Sequence, residues 1–205
     1  KSPFDAGFFG ALKAQAARRR PEPRRGADVR AELPVSFRES CLGAEAKPVE
    51  LEYREECGAC KGTGTLPSTS IQCGDCGGSG SVAGRRTVEV AVPPGVADGQ
   101  QLRVRGRGDA GRGGAEAGDA LVTVRAPAAS ECGKFSRRGN DIYSAATVPD
   151  LALGGEVRVE TVEGKAGTLS VPAGTAPGTL LKISGRGAPV LGSDSERGDH
   201  FVRIS

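Results

Sequence analysis

Val92-Pro93-Pro94-Gly95-Val96-Ala97-Asp98-Gly99-Gln100-Gln101-Leu102 is a turn running into a strand, and the chain says it again as Val171-Pro172-Ala173-Gly174-Thr175-Ala176-Pro177-Gly178-Thr179-Leu180-Leu181. The two copies stay in step downstream, with Gly106-Arg107-Gly108 against Gly185-Arg186-Gly187 and Gly118-Asp119 against Gly198-Asp199. Upstream, Gly26-Ala27-Asp28-Val29 matches Gly139-Asn140-Asp141-Ile142, and Leu42-Gly43-Ala44-Glu45 matches Leu153-Gly154-Gly155-Glu156. Turn chemistry recurring at matched offsets marks one supersecondary unit used twice. Between the turns the apolar residues alternate, as Val29, Ala31, Leu33 and Val35 and again as Val49, Leu51 and Tyr53, which is the pattern of half-buried strands. Further strands are predicted over 87–92, 101–105, 120–125, 141–147, 156–161, 167–171, 179–184 and 200–204, separated by Gly/Pro turns such as Pro93-Pro94-Gly95 and Pro177-Gly178. The predicted fold is mostly β, with two tandem, similar, β-sandwich-like modules.

The first copy is interrupted over 55–83, giving expected modules at 26–54 with 84–126 and at 127–205. The insert reads Cys57-Gly58-Ala59-Cys60-Lys61-Gly62-Thr63-Gly64 and then Cys73-Gly74-Asp75-Cys76-Gly77-Gly78-Ser79-Gly80, which is CxxCxGxG twice. Each CxxC turn aims two thiolates to one side, half of a tetrahedral zinc site. The glycines allow left-handed backbone and close approach around the sulfurs. No histidine is near, so Cys57, Cys60, Cys73 and Cys76 would form a closed four-sulfur site holding one Zn2+ per chain, structural because no position is left for a catalytic water. Four thiolates also suit an iron–sulfur cluster, and each CxxC pair could serve as a redox dithiol. Cys41 and Cys132 stand alone and read as small buried or partly buried thiols.

The 205 residues hold 32 glycines, 13 prolines and only 4% aromatics, which suits thin β-layers built on Val, Leu and Ile rather than one thick aromatic core. A net charge of +3 excludes both a strongly basic nucleic-acid-coating protein and an acidic disordered one. No apolar run is long enough to span a membrane, and no secretory apolar segment is visible. Paired cysteines read as metal ligands place the chain in a reducing compartment. With a single histidine, His200, hydrolytic or acid–base catalysis has little to work with, and no enzyme is expected. Residues 1–25 combine a Gly/Phe-rich start with the Pro-broken basic run Arg18 to Arg25. They read as a solvated linker with a short helix near 11–18, the basic run being able to touch nucleic acid or an acidic partner. The chain opens at Lys1 without methionine and is read as a fragment or processed form.

The tandem repeat, the CxxCxGxG pair and the Gly/Phe-rich start together resemble the DnaJ family, in the class with a cysteine-rich zinc region. Arg25-Gly26-Ala27-Asp28-Val29 resembles the opening of that family's first C-terminal β-domain, and Phe135-Ser136-Arg137-Arg138-Gly139-Asn140-Asp141-Ile142-Tyr143 the opening of its second. The resemblance implies a molecular co-chaperone active in protein folding and stress response, whose β-modules bind unfolded or hydrophobic polypeptide clients for delivery to a DnaK-class chaperone. Members usually carry four CxxCxGxG repeats and two zinc ions, the first and last repeats sharing one zinc and the middle two the other. This chain looks like the version with the middle pair deleted. The family's J-domain and its C-terminal dimerisation segment are not seen, so this fragment is expected to be monomeric, and a full-length protein homodimeric and partnered with the DnaK-class chaperone through its J-domain. Cytoplasm, organelle matrix and plastid stroma all fit.

Client binding is expected by strand addition to a sheet edge, because main-chain hydrogen bonds ignore side-chain identity, with an apolar pocket selecting hydrophobic residues. By resemblance the peptide-binding residues are Val29, Val49, Leu51 and Phe135, with Val88 a further lining candidate. Periodicity alone favours Val49 and Leu51 as ordinary core residues, and the resemblance reverses this for the set rather than for each member. Two rival classes are a zinc-ribbon nucleic-acid binder, using the Arg18–Arg25 run and Arg103, Arg105 and Arg107, and a CxxC thiol–disulfide oxidoreductase. The first lacks an aromatic stacking platform, and neither nucleic-acid nor membrane partners are expected.

Overall fold

Alternation of apolar and polar residues does become strand. The computed structural model describes residues 23–66, 71–112, 115–130, 133–193 and 195–205; the predicted helix near 11–18 and Cys132 lie outside them. In chain order the elements are β1 (Val29–Pro34), α1 (Phe37–Leu42), β2 (Ala44–Glu56), β3 (Ser81–Val92), β4 (Gln101–Val104), β5 (Ala120–Arg125), β6 (Phe135–Arg138), β7 (Asp141–Ala146), β8 (Gly155–Glu160), β9 (Ala166–Val171), β10 (Leu180–Ile183) and β11 (His200–Ile204). They form a three-stranded sheet β1-β5-β4, a four-stranded sheet β10-β11-β7-β6, and two ribbons, β2-β3 and β8-β9. The fold is mostly β, as expected. Among the described residues no helix is long and apolar enough to cross a membrane.

Three elements differ from the expected ones. α1 replaces an anticipated plain connection. Ser36 Oγ accepts from the Glu39 amide at 3.2 Å while Glu39 Oε2 accepts from the Ser36 amide at 2.7 Å, a reciprocal cap that satisfies two free donors of a one-turn helix. β6 is new as well. The ribbon β2-β3 is longer than its alternating segments, because Arg54, Glu55 and Glu56 are exposed on both faces and carry no period-two signal. There the backbone ladder and cross-strand pairs such as Arg85–Glu52, 2.8 Å, sustain the strand.

The chain divides into two compact units. One comprises 1–29, 52–85 and 105–119; the other comprises 30–51, 86–104 and 120–205. The larger unit holds three apolar clusters. Leu33, Val35, Val49, Leu51, Val88, Val90, Val92, Val96, Val122 and Val124 form the first. Val148, Val159, Val171, Val202 and Ile204 form the second. Phe37, Cys41, Ile142 and Ala188 form the third, with Phe135 against it. Arg137 ties α1 and its neighbouring turn to β6: its guanidinium donates to Val96 O and Gly95 O, both at 2.8 Å, to Ser40 O at 3.3 Å and to Gly139 O at 2.6 Å.

The repeated Gly and Asp positions close the same loop twice. Gly108 N–H donates to Gly118 O, as Gly187 N–H does to Gly198 O, both at 2.8 Å. The Asp119 amide donates to Asp28 Oδ1 and the Asp199 amide to Asp141 Oδ1, again at 2.8 Å. A Cβ on Gly118 would run into Ala27 O, and one on Gly198 into Asn140 O, so both positions require glycine for the backbones to meet.

Candidate functional site

The CxxCxGxG repeats build a sulfur cage with near two-fold internal symmetry. Cys57 and Cys73 sulfurs lie 3.8 Å apart and Cys60 and Cys76 sulfurs 3.7 Å apart, and all four fall within 4.8 Å of one another. A zinc–sulfur bond of about 2.3 Å in a tetrahedron sets its sulfurs about 3.8 Å apart. A disulfide needs about 2.05 Å, so the cysteines are free thiols arranged as a metal cage rather than as bonded pairs.

Each knuckle is built by the same bonds. Lys61 and Gly77, the residues after the second cysteine of each repeat, both take left-handed backbone, with φ of 48° and 56°. That turn brings the Gly64 amide to 3.3 Å from Cys60 Sγ and the Gly80 amide to 3.2 Å from Cys76 Sγ, where each donates to sulfur. The repeats then interlock: Cys57 N–H donates to Gly80 O at 3.1 Å and Cys73 N–H to Gly64 O at 2.9 Å. A Cβ on Gly64 would strike Gly78 O and one on Gly80 would strike Gly62 O, which is why the final glycine of each repeat has no substitute. Thr63 Oγ1 donates to Cys60 O at 2.6 Å and Ser79 Oγ to Cys76 O at 2.7 Å. Sequence reading passed over these two hydroxyls, although a hydroxyl residue stands between the last two glycines of both repeats.

The thiols do not titrate alike. Desolvation lifts Cys76, but the Gly80 amide and the neighbouring Cys60 and Cys73 thiols outweigh it and lower the group to about 7. For Cys73 the Cys76 amide pulls down, yet burial and the Cys76 and Cys57 thiols raise it to about 11. Cys73 and Cys76 thus ionise unequally, and a divalent cation is the group that would hold the cage together as thiolates.

The candidate peptide-binding residues fall in different places. Val49 and Leu51 share the inward face of β2 with Val88 of β3 beside them, at 5%, 1% and 7% exposure. Phe135 is half-buried in another cluster, stacked on Phe37 with ring centroids 6.4 Å apart. Val29 opens β1 half-buried and belongs to neither cluster. Unanticipated is a groove of about 760 Å3 along β6, β7 and β8, lined by Phe135, Tyr143, Val157 and several cationic side chains.

Comparison with known proteins agrees with this architecture. The profile of the DnaJ C terminal domain matches residues 29–205. The chaperone protein DnaJ of Lachnospira eligens is 32% identical over 225 residues, covering 89% of this chain and 59% of that protein. The chaperone protein DnaJ of Thermosynechococcus vestitus is 33% identical, covering 96% of this chain and 63% of its own length. The chaperone protein DnaJ 1 of Streptomyces coelicolor is 36% identical, covering 90% and 55%. The chain therefore spans about three fifths of the length of these curated relatives.

Proposed function

The chain belongs to the DnaJ family of chaperones, and from that premise we propose that it is the client-binding part of such a chaperone. Unfolded or hydrophobic polypeptide adds as a strand to an open sheet edge and is passed on to a DnaK-class chaperone. Cys57, Cys60, Cys73 and Cys76 hold one structural Zn2+, no catalysis is involved, and the compartment is a reducing one. The modules are 26–54 with 84–126 and 127–205, around an insert at 55–83.

The observation that carries this reading is the ribbon β2-β3, whose strands pair only with each other among the described strands. Open edges are a hazard that proteins usually cover, and an extended peptide is the partner they fit. In the proposal, clients reach the apolar set Val29, Val49, Leu51 and Phe135. Because Val49 and Leu51 lie inside their cluster, client side chains meet them by parting the sheet edge rather than by filling a preformed hole.

The test is fluorescence anisotropy of a labelled, neutral, apolar peptide against its backbone N-methylated twin, with single-stranded DNA as competitor. Saturable binding of the parent peptide, unaffected by DNA and lost on N-methylation, is the expected result. Equal binding of the methylated twin would remove strand addition. Displacement by DNA with steep salt dependence would favour a nucleic-acid binder.

A further inference from the structure

We infer that the groove along β6, β7 and β8 is a second strand-addition site, and that it selects an acidic extended polypeptide segment. Two backbone edges face this space. Among the described strands β8 pairs only with β9. β6 covers β7 only as far as Ser144, its pairing running from Phe135↔Ser144 to Arg138↔Asp141, so no named strand covers Ala145 and Ala146 on that side. Both Ala145 and Thr147 are exposed there. An added strand would find main-chain donors and acceptors along the groove, as any edge strand offers.

Charge chooses the occupant. Lys134, Arg138, Arg158 and Arg203 all line the groove, and all are exposed. Glu160 is the one carboxylate among the described lining residues. It is bridged by Lys134 at 3.2 Å, with both side chains more than 60% exposed, so the bridge is weak and exchangeable. Arg138 lies over the Tyr143 ring, 5.5 Å from its centroid, which leaves its guanidinium edge available to an incoming carboxylate. Among the described residues neither Arg158 nor Arg203 has an acidic partner. Apolar contact remains available at Phe135, Val157 and Leu180, the last 52% exposed. An extended segment presents alternate side chains to opposite sides. Carboxylates alternating with aliphatic residues would therefore meet both the arginines and the apolar floor.

This site borrows the strand-addition mode proposed above and shares Phe135 with it, but uses other edge strands and another ligand, and the experiment separates the two. Three labelled peptides are titrated against the 205-residue chain. One alternates glutamate with leucine, one lysine with leucine, and one serine with leucine. The glutamate peptide is expected to bind about tenfold tighter than the lysine peptide and to weaken as salt rises. The double variant Arg158→Glu/Arg203→Glu changes only exposed side chains. It should cost the glutamate peptide about tenfold while leaving the serine peptide within about twofold. The milder Arg158→Gln/Arg203→Gln pair should fall between. Equal affinities for the glutamate and lysine peptides, or a glutamate peptide indifferent to both double variants, would overturn the inference. Loss of serine-peptide binding from the parent chain, with glutamate binding intact, would count against the first-module client reading and leave this site standing.

Discussion

The two repeats share their turns and differ in what they bury at one matched pair of positions. Counting from the common Asp28/Asp141 and Gly118-Asp119/Gly198-Asp199 anchors, Ala31 corresponds to Ser144 and Ala120 to His200. In the first repeat both are alanines, set in or against the valine-rich cluster. In the second, Ser144 Oγ lies 2.8 Å from His200 Nε2, and the imidazole is fully buried with no partner for Nδ1 among the described residues. The backbone solution was duplicated and the filling was not. Loops held by main-chain hydrogen bonds and obligatory glycines tolerate little change, whereas the side chains between the layers are free to diverge so long as volume and polarity are satisfied.

The sharpest asymmetry is the insert, which only the first repeat carries. Structural zinc in small cysteine sites contributes about 10–16 kcal/mol of coupled folding free energy. Cys57→Ser, or chelation, should therefore unfold residues 57–80 while the sheets persist, since those have their own apolar clusters. Amide hydrogen exchange reads this directly: protection is lost across the knuckles and kept in β5 and β11. Loss of protection in β5 as well would mean that the first repeat depends on its insert, and the comparison of the two modules as equivalents would fail.

Next in size is the shared loop. Gly118→Ala and Gly198→Ala each force a methyl onto a carbonyl oxygen, of Ala27 and of Asn140 respectively. Each should cost about 2–4 kcal/mol in urea unfolding, and by similar amounts if the two loops are one device. A cost below about 0.5 kcal/mol at either site would show that this loop relaxes and that the repeat is only a likeness of sequence.

These anchors were legible before any coordinates because their chemistry is local. Gly118-Asp119 and Gly198-Asp199 announce themselves by recurrence, and Cys57 to Cys76 by spacing. The family resemblance rested on the same residues, and the profile match over 29–205 agrees with it. What stayed hidden has a non-local cause. β6 is four residues long and exists because it pairs with β7. α1 is too short for helical periodicity, although its cap Ser36-x-x-Glu39 was readable. The cationic groove gathers Lys134, Arg158 and Arg203 from three separate segments, none remarkable alone. Val49 and Leu51 show the limit of alternation: it reports which face is inward, and cannot say whether that face receives a client or only the core.

The smallest effect tests the Ser144–His200 pair itself. Burial holds the His200 pKa below its ordinary value near 6.5. The unfolded chain therefore takes up a proton as pH falls through about 6.5 when the folded chain does not. Stability from this group is complete above that pH and declines below it, by at most about 1.4 kcal/mol per pH unit, until the folded pKa is reached. His200 is the chain's only histidine, so no other imidazole contributes in this window. Ser144→Ala removes the one hydrogen-bond partner that a buried ring has among the described residues, and should cost about 1–3 kcal/mol at pH 7.5. The double variant Ser144→Ala/His200→Ala restores the alanine pair of the first repeat. It loses packing, but its β11 amide protection should no longer fall between pH 7.5 and 5.5 beyond the change seen in β5. If β11 in the double variant still loses protection over that interval, the pH response belongs to other groups, and the Ser144–His200 difference between the two cores carries no titration. If the response disappears, acid sensitivity is a property of the second module alone, placed there by two residues.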